Sequence, residues 1–393
     1  LVLSGRNDDS AYQEAIAEKF MAQYPHIKVE LMHLDGPSYE QLLMQNKAAG
    51  TLPDVGFLAP EFLTRFLDAD IVQPLSEEGM AAVGFSPNDL YDILREGASI
   101  DGQLYLVPRT MDIVSVFLNK TMFQNAGLPL PSDDWTWDQF LDLAQKLTVK
   151  DASGNVTQYG AFMHNAWEGV YHTLWMANGA EFVDYDAKKV MLTDPKVMQA
   201  VQTQLDAIQQ GYIADDMNYS GNAFLEGKAA MWFHVGVLAG TVNDAAKEKG
   251  FEWDVASYPA LPNPKNLIGF AGYFVSKDTK HLKEASMLAA FIGSEIGQTE
   301  IFSKSGSTPA NRAVAEKGDW MNYPVEGKNT AAFIKYPDRY YYNFASSKIP
   351  GEVYAALHGG NRQSMTAVIN GEKSLVDAYA AVEQTVNEMW AKQ

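Results

Sequence analysis

The alternation of short apolar runs with amphipathic segments near the start of this chain most constrains its fold. The runs LVLSG, HIKVELMHL and LPDVGFLAP have the composition of β-strands. Between them, SAYQEAIAEKFMAQYP and SYEQLLMQNKAAG place apolar residues at helical spacing and end at a proline or a glycine. Strands and helices that alternate at this pitch predict βαβ units, a mostly parallel sheet and therefore an α/β fold.

The remainder of the chain continues this mixture with more helix. Helical patterns dominate from about residue 121 to residue 258, a strand-like LIGFAGYFVSK occupies 267–277, and the tail from about residue 364 is again helical. The predicted helices of the middle are WTWDQFLDLAQKLTV, EGVYHTLWMANGA, DPKVMQAVQTQLDAIQQG and GNAFLEGKAAM. A chain of 393 residues is long enough for two or three domains.

Charge and composition exclude several classes of partner and chemistry. The net charge of −19 makes duplex nucleic acid and anionic membranes poor partners, so we expect no nucleic-acid binding. The absence of cysteine excludes disulfides, thiol catalysis and cysteine-based metal centres. No run of about 18 apolar residues is present. The chain starts directly at a strand-like LVLSG, so we expect either a cytosolic protein or one whose leader was removed.

The sequence carries none of the common catalytic or nucleotide-binding motifs. Adjacent carboxylates, as in Asp133/Asp134 and Asp215/Asp216, point apart on regular structure and are interpreted as solvated or helix-capping groups. His164 and His172, eight residues apart, are interpreted as structural rather than as a ligand pair. We therefore expect no enzyme activity, no cofactor and no metal.

Two features point instead to a polar ligand. In QLYLVPRTMDIVSVFLN, the residues Arg109, Thr110 and Asp112 stand between two strand-like runs, and buried charges there need partners. Aromatic residues also cluster with polar ones in predicted turns, as in NAWEG, FAGYF and DRYYYN. A sugar fits both features, because a pyranose offers an apolar CH face to an aromatic ring and hydroxyls to charged groups.

Several stretches, in this order, resemble the bacterial extracellular solute-binding proteins of ABC importers, in the branch that includes the maltose-binding and multiple-sugar-binding proteins. They are SYEQLLMQNKAAGTLPDVGFL, GQLYLVPRTMDIVSVFLNK, GAFMHNAWEGVYHTLWMANGA, FLEGKAAMWFHVG, GFAGYFVSK, GSTPANR and MTAVINGE. The resemblance implies a two-lobed periplasmic-binding-protein fold of type II with a ligand cleft between the lobes. The implied N-terminal lobe is 1–109 plus 260–308 and the C-terminal lobe 112–258 plus 312–393, with crossings near 109–112, 258–262 and 307–311.

The same resemblance supplies ligand-binding candidates. Trp167, in NAWEG, and Tyr273, in GFAGYF, are expected to stack on the ligand. His234 is expected to donate to a hydroxyl. Leu58 and Val237 stand where the branch has stacking tryptophans, which argues against a long maltodextrin. The full candidate set is Arg6, Asn7, Asp8, Ser38, Tyr39, Glu61, Arg109, Thr110, Asp112, Asn165, Trp167, His234, Gly272, Tyr273, Arg312 and Arg362.

Structural alternatives exist for several of these residues. Arg109 and Asp112 could simply pair with each other at the crossing, and His234 could be a core histidine. Trp232, which precedes His234 on the same predicted strand, is a candidate core residue. These alternatives predict burial and contacts with protein groups.

The resulting prediction is a monomeric carbohydrate-binding protein that closes on a mono- or oligosaccharide and delivers it to an ABC permease. Its predicted location is the periplasm or the extracellular face of the membrane, with or without a lipid anchor. An anionic sugar or polyol phosphate is the alternative ligand, because four of the seven arginines fall among the candidates. A glycoside hydrolase that uses Asp112 and Glu61 is a more distant alternative, and a role as a chemoreceptor adaptor could coexist with transport.

Overall fold

The chain forms two compact units, each assembled from two separate segments. A computed structural model describes residues 1–5, 10–34, 39–165, 167–217, 219–342 and 348–393. Unit 1 contains Leu1–Asp112 and Gly269–Pro324, and unit 2 contains Ile113–Ile268 and Val325–Gln393.

Strands and helices alternate through both units. Up to Pro108 the elements are β1 (Val2–Gly5), α1 (Ser10–Gln23), β2 (Glu30–His33), α2 (Tyr39–Ala49), β3 (Val55–Leu58), α3 (Leu63–Asp68), β4 (Val72–Gln73), α4 (Glu77–Ala82), α5 (Asp92–Gly97), β5 (Ser99–Ile100), β6 (Gln103–Leu104) and β7 (Leu106–Pro108). From Asp112 to Gly269 they are β8 (Asp112–Asn119), α6 (Lys120–Asn125), α7 (Trp137–Leu147), β9 (Val149–Lys150), β10 (Val156–Met163), α8 (Glu168–Ala177), β11 (Val183–Asp184), β12 (Lys189–Val190), α9 (Pro195–Gln209), β13 (Ile213–Asp215), β14 (Ala229–Val235), α10 (Ala239–Lys249), β15 (Trp253–Ala256) and β16 (Asn266–Gly269). The last are β17 (Gly272–Ser276), α11 (Leu282–Gly293), α12 (Glu295–Ser305), α13 (Arg312–Lys317), β18 (Tyr340–Tyr342), α14 (Gly351–Ile369) and α15 (Leu375–Trp390).

The sheet of unit 1 has the strand order β2-β1-β3-β17-β4, and β7 also pairs with β17. Strand β1 is parallel to β2 and β3, whereas β17 is antiparallel to β3 and β7. The carboxyl ends of β1, β2 and β3 therefore lie at the same edge as the start of β17 and the end of β7. The α/β prediction is confirmed for this unit, including the parallel pairing expected from the first three strands.

The sheet of unit 2 has the order β13-β10-β14-β8-β16-β18, with β15 paired to β8. Strand β10 is parallel to both β13 and β14, and β8 runs antiparallel to β14. The carboxyl ends of β10, β13 and β14 thus share one edge with the start of β8. We call this edge, with the residues that follow the strands there, the unit 2 edge.

Aromatic side chains form the core beside the central strands of unit 2. Phe117 on β8 packs against Trp232 and Trp253, with ring centroids 5.8 and 6.0 Å apart, and against Phe333 at 5.8 Å. Trp232 is 1 % exposed, which agrees with its interpretation as a core residue. Because Phe333 belongs to this cluster, the segment after residue 325 is held in unit 2.

A single buried amide joins three segments of unit 1. The Gln298 Nε2 group donates to the carbonyls of Arg109 (2.8 Å) and Ile292 (3.1 Å). Its Oε1 atom accepts from the backbone N–H groups of Ala310 (2.7 Å) and Asn311 (3.3 Å). The side chain is 1 % exposed, so these backbone groups have little access to water and depend on the amide.

The positions at which the chain crosses between units differ from those predicted for two of the three crossings. The chain passes from one unit to the other after residues 112, 268 and 324. The second and third crossings were predicted near 258–262 and 307–311. Residues 260–268 stay in unit 2 because Asn266 Nδ2 donates to the Val114 carbonyl (2.8 Å) and the Ala260 N–H donates to the Trp135 carbonyl (2.9 Å). Residues 309–324 stay in unit 1 through contacts such as Asn311 Nδ2 to the Gly293 carbonyl (3.1 Å).

One predicted helix is absent. The stretch GNAFLEGKAAM forms turns that lead into β14, which begins at Ala229. Gly221 and Gly227 adopt φ values of 103° and 71°, which a right-handed helix does not use. The two glycines therefore end any local helical preference before the β-rich run AAMWFHV.

Within the described ranges, no helix is both long and apolar enough to cross a membrane.

The first testable prediction concerns Gln298. Replacement by Leu leaves two N–H groups and two carbonyls without their partner, so we expect Gln298→Leu to lower the free energy of unfolding by about 3 kcal/mol. Urea denaturation followed by circular dichroism measures the change. Thr299→Ala on the same helix is the control and should remain within about 0.5 kcal/mol of wild type. An unchanged transition midpoint in Gln298→Leu would show that water or other groups replace the amide.

A fully buried histidine lies in the core of unit 2. His172 on α8 is 0 % exposed and packs against Tyr171 and Phe182, with ring centroids 4.5 and 4.6 Å away. Neither of its ring nitrogens hydrogen bonds to a described residue. Burial, and to a lesser extent the charge of His358, lowers the pKa of His172 to about 3. The histidine is therefore neutral in the folded protein, in agreement with a structural role.

The second prediction is acid destabilisation through His172. As the pH falls below the ordinary histidine pKa of about 6.5, His172 becomes protonated in the unfolded chain. In the folded chain it stays neutral until about pH 3. In that window this group lowers the free energy of unfolding by about 1.4 kcal/mol per pH unit. His172→Phe should therefore lose less stability than wild type between about pH 7 and about pH 5, as measured by urea denaturation. The exposed His26→Phe should behave as wild type, and equal losses in all three proteins would contradict the prediction.

Candidate functional site

The unit 2 edge gathers polar side chains from three parallel strands. His164 and Asn165 follow β10, Asp215 ends β13, Asp216 follows it, and His234 is the penultimate residue of β14. Ligands of open α/β sheets bind outside the carboxyl ends of the strands, because backbone and side-chain groups converge there. The pairing of β14 with β8 puts His234 opposite Ser115, so the start of β8 at Asp112 lies at this edge too.

A buried amide–carboxylate network supports this edge. Asn165 Nδ2 donates to Asp215 Oδ2, and Asn165 Oδ1 accepts from Gln204 Nε2 of α9. The N–H of Met217 donates to Asp215 Oδ1 at 2.7 Å. Asn165, Gln204 and Asp215 are each at most 1 % exposed. Asn165 was predicted to bind ligand directly; in the structure both of its amide atoms hydrogen bond to protein groups, which tie the loop after β10 to β13 and α9.

The two neighbouring aspartates have opposite electrostatic environments. Burial raises the pKa of Asp215, and the nearby charge of Asp216 raises it further, against the opposing Met217 and Asn165 hydrogen bonds. For Asp216, burial alone would raise the pKa, but the hydrogen bond and charge of His164 and the charge of Arg362 lower it. Asp216 Oδ2 lies 3.6 Å from His164 Nδ1. Asp216 is therefore the charged, half-buried acceptor of the pair.

Trp167 and His234 form a stacked pair at the unit 2 edge. Their rings lie 4.8 Å apart with an interplanar angle of 18°. Gly169 closes the packing on the indole, because a Cβ atom at that position would lie 2.4 Å from Trp167 Cη2. Trp167 is half-buried and immediately precedes α8. The predicted stacking residue is thus held rigidly, with His234 covering one face of the indole.

The protonation of His234 follows from its contacts. The backbone N–H of Val235 donates to His234 Nδ1 at 2.9 Å, so Nδ1 carries no proton. Burial, with a smaller contribution from His164, lowers the pKa of His234 to about 3. A neutral ring that accepts at Nδ1 carries its proton on Nε2. Nε2 is therefore a hydrogen-bond donor, as the prediction for a hydroxyl ligand requires.

Helices α8 and α14 add further polar groups that the sequence reasoning missed. His358 Nδ1 lies 2.9 Å from the Tyr171 hydroxyl and 3.6 Å from Glu168 Oε2. Arg362, a predicted ligand residue, lies one helical turn further along α14, is exposed and acts electrostatically on Asp216. The signal for His358 was its spacing of four residues from Arg362, which places both on one side of α14.

In unit 1, Arg109 lies where β7 ends and belongs to a buried aromatic cluster. Its Nη1 group donates to the Tyr12 hydroxyl, and its guanidinium carbon lies 4.9 Å above the Phe57 ring. The Tyr273 hydroxyl is 2.7 Å from Gln13 Nε2 and 3.4 Å from the Tyr12 hydroxyl. Tyr273 is 0 % exposed, so its ring offers no accessible surface for the stacking predicted from the sequence. A strand that is buried on both faces explains this difference.

Two other candidates in unit 1, Tyr39 and Gly272, also contact protein groups. Tyr39 is buried, and its hydroxyl lies 3.0 Å from Ser4 Oγ and accepts from the Phe57 N–H at 3.1 Å. Burial raises the pKa of the Tyr39 hydroxyl. At Gly272 a neighbour approaches the backbone closely, as predicted, but this neighbour is strand β7 and not a ligand. A Cβ atom at residue 272 would lie 2.8 Å from the Val107 carbonyl oxygen.

The remaining candidates have different positions. Thr110 is 0 % exposed, whereas Asp112 and Glu61 are half-buried. Arg312 Nη2 donates to the Leu90 carbonyl (3.0 Å) and lies 3.4 Å from Asp92 Oδ1, which ties α13 to α5. Four predicted site residues lie outside the described residues: Arg6, Asn7, Asp8 and Ser38.

The part of the chain that the structure describes contains no group of three or more His, Cys, Asp or Glu residues that could hold a metal ion.

Two solved structures with this fold are binding proteins from bacteria. An ABC substrate-binding protein from Listeria monocytogenes in complex with cycloalternan superposes with a TM-score of 0.86 at 19 % identity, covering 100 % of this chain and 98 % of that one. An ABC transporter solute-binding protein from Thermotoga lettingae bound with α-D-tagatose has a TM-score of 0.84 at 19 % identity, covering 99 % and 98 %. At these identities the likeness shows the fold, and it confirms the predicted two-domain α/β architecture.

Residues 4–299 match the family of bacterial extracellular solute-binding proteins, and the chain belongs to that family. A relative in Streptococcus mutans, a multiple sugar-binding protein, is 22 % identical over 362 residues, which are 86 % of this chain and 79 % of that protein. The resemblance inferred from the sequence motifs is confirmed.

Proposed function

We propose that this protein binds a carbohydrate and delivers it to the permease of an ABC importer. The observation that carries the proposal is the Trp167–His234 stack beside the charged acceptor Asp216 at the unit 2 edge. An aromatic ring suits the apolar face of a sugar, while the His234 Nε2 donor and a carboxylate acceptor suit its hydroxyls. The sugars bound by the two structural neighbours, and the name of the Streptococcus relative, support this ligand class.

The three described arginines among the candidates favour a neutral sugar over an anionic one. Arg109 donates to Tyr12, Arg312 donates to Leu90, and Arg362 acts on Asp216. The guanidinium groups of Arg109 and Arg312 thus have protein hydrogen-bond partners, and the exposed Arg362 lies within electrostatic range of Asp216. An anionic ligand would have to compete with these groups and would face the negative Asp216 at the unit 2 edge.

The proposed role is binding and delivery, without chemistry on the sugar. Membership of an extracellular solute-binding family supports a location in the periplasm or on the extracellular face, with the permease as partner. The alternative hydrolase would need two carboxyl groups that flank one glycosidic bond.

A ligand screen tests the proposal. Thermal unfolding is measured with a panel of neutral mono- and oligosaccharides, sugar phosphates and sugar acids. A ligand at about 100 times its Kd adds about 2.7 kcal/mol of stability and raises the melting temperature. Titration calorimetry then gives the affinity, and chromatography of the released ligand should recover the sugar unaltered. Stabilisation by sugar phosphates alone, or recovery of cleaved sugar, would contradict the proposal.

The third prediction concerns stacking. Trp167→Ala should weaken binding of the sugar found in the screen by about 1–3 kcal/mol, because it removes the aromatic surface and frees His234 from its position. Titration calorimetry measures the loss, and circular dichroism checks the fold. Tyr185→Ala, which removes an exposed aromatic of the same unit, is the control and should retain wild-type affinity. Unchanged affinity in Trp167→Ala would assign the indole to packing only.

The fourth prediction concerns Asp112 at the start of β8. Asp112→Asn preserves the shape but turns one acceptor oxygen into a donor. We expect at least a tenfold loss of affinity, about 1.4 kcal/mol, if the carboxylate accepts from a sugar hydroxyl. The same calorimetric titration applies, with the exposed Asp244→Asn as the control for charge alone. Wild-type affinity in Asp112→Asn would remove this residue from the site.

A further inference from the structure

Helix α9 lies wholly in the described part of the chain, and the one polar residue on its buried face is Gln204. The buried residues of this helix are Val197, Ala200, Val201, Gln204, Leu205, Ala207 and Ile208. The Gln204 side chain is 1 % exposed, so water cannot supply its hydrogen bonds. A leucine or a methionine there would continue the apolar pattern, with a helix propensity as favourable as that of glutamine. The amide at this position therefore needs a reason other than the stability of α9.

The hydrogen bond from Gln204 to Asn165 shows what this amide does. Gln204 Nε2 donates to Asn165 Oδ1. The two ends of an asparagine amide have nearly the same shape and differ in being acceptor or donor, so sterically either end could face Asp215. Because Gln204 supplies a donor, the Asn165 oxygen faces α9 and its Nδ2 group donates to Asp215 Oδ2. Gln204 therefore selects one of the two orientations of the Asn165 amide.

The orientation of this amide decides how the Asp215 carboxyl is bonded. Asp215 Oδ2 accepts from Asn165, Oδ1 accepts from the Met217 N–H at 2.7 Å, and the carboxyl shares a hydrogen bond with Asp216. With the amide reversed, an oxygen would face Asp215. A charged Asp215 would then be repelled, and a protonated one would donate to Asn165 instead of Asp216. We call Gln204, Asn165 and Asp215 the amide relay.

Asp216 connects the amide relay to the unit 2 edge. Its side chain is 21 % exposed, whereas each member of the relay is at most 1 % exposed. Asp216 Oδ2 lies 3.6 Å from His164 Nδ1, and the charge of Arg362 also acts on this carboxylate. The direction of the Asp216 carboxylate thus depends on His164 on one side and on Asp215 on the other.

We propose that Gln204 is a positioning residue of the sugar site: through Asn165 and Asp215 it holds the Asp216 carboxylate in the direction from which it accepts a ligand hydroxyl. Gln204 itself is too deeply buried to touch a ligand. This inference deepens the proposed function and rests on it, because Asp216 is the acceptor assigned there to the sugar.

Carbon-13 nuclear magnetic resonance of the aspartate carboxyls tests the amide relay in the ligand-free whole chain, with Asp215→Asn used to assign the Asp215 signal. Gln204→Met keeps an unbranched side chain and removes the donor. Burial raises the pKa of Asp215, and the Asn165 hydrogen bond opposes that rise. Loss of the oriented donor should therefore raise the Asp215 titration midpoint by about one pH unit. Gln202→Met, at an exposed position of α9, should leave it unchanged, and an unchanged midpoint in Gln204→Met would overturn the proposal.

Titration calorimetry with the sugar found in the screen tests the consequence for binding. Gln204→Met should weaken the affinity by about tenfold or more, because a misdirected acceptor leaves a ligand hydroxyl without its partner. Gln202→Met should bind as wild type does. If the wild-type protein binds sugar and Gln204→Met binds it equally well, the inference is overturned and the proposed function stands. If no sugar binds the wild-type protein, the proposed function itself is overturned, whatever the carboxyl titration shows.

If Gln204→Met does not fold, the side-chain amide signals of the wild-type protein decide. The Gln204 and Asn165 amides and the Asp215 carboxyl are linked in series. Both amide signals should therefore shift at the Asp215 midpoint in a pH titration of ¹⁵N-labelled protein. Gln204 amide signals that do not respond around that midpoint would overturn the proposal.

Discussion

The Gln298 amide is the interaction on which the assembly of unit 1 most depends. It uses both of its ends, donating to the carbonyl of Arg109 and accepting from the backbone of residues 310 and 311. These partners come from the end of the first segment and from the loop that precedes α13. A chain that leaves a unit and returns to it needs such a contact, because no local periodicity holds the returning segment in register. The same amide fixes the backbone of Arg109, and with it the start of the crossing.

The two sheets treat their polar residues differently. In unit 1, the candidates Arg109, Tyr39 and Tyr273 are buried, and their polar atoms contact other residues of the same unit. In unit 2, the buried layer of Asn165 and Asp215 supports a second layer, Trp167 and Asp216, that remains half-buried. Buried residues that hold partly exposed residues in place are expected at a preorganised binding surface. The entropy cost of ordering the exposed side chains is then incurred during folding and not on binding.

Much of the fold could be predicted from the sequence, and the reasons for the failures are physical. The βαβ alternation and the core role of Trp232 followed from periodicity and strand composition. The helix assigned to GNAFLEGKAAM failed because two glycines with positive φ outweigh the alanine and leucine content. The later crossings were misplaced since Gln298 and Asn266 act through long-range hydrogen bonds, which leave no local pattern.

The site was less predictable for a related reason. Sequence position identified Trp167 and His234, which structure brings together, but it could not distinguish an exposed aromatic from a buried one, as Tyr273 shows. Asp215 and Asp216 were set aside because neighbours on a strand point apart. The structure contradicts the solvated or helix-capping interpretation of this pair. Asp215 is 0 % exposed and accepts from Asn165, whereas the half-buried Asp216 lies 3.6 Å from His164 and shares a hydrogen bond with Asp215.

The neutral imidazole of His234 has a consequence for a protein that works outside the cytoplasmic membrane. Such a protein meets whatever acidity its surroundings impose, without the buffering of the cell interior. Since the pKa of His234 is about 3, the ring that supports Trp167 keeps one tautomer and no charge from neutral to distinctly acidic media. The stacking of His234 on Trp167 is therefore independent of environmental pH over this range.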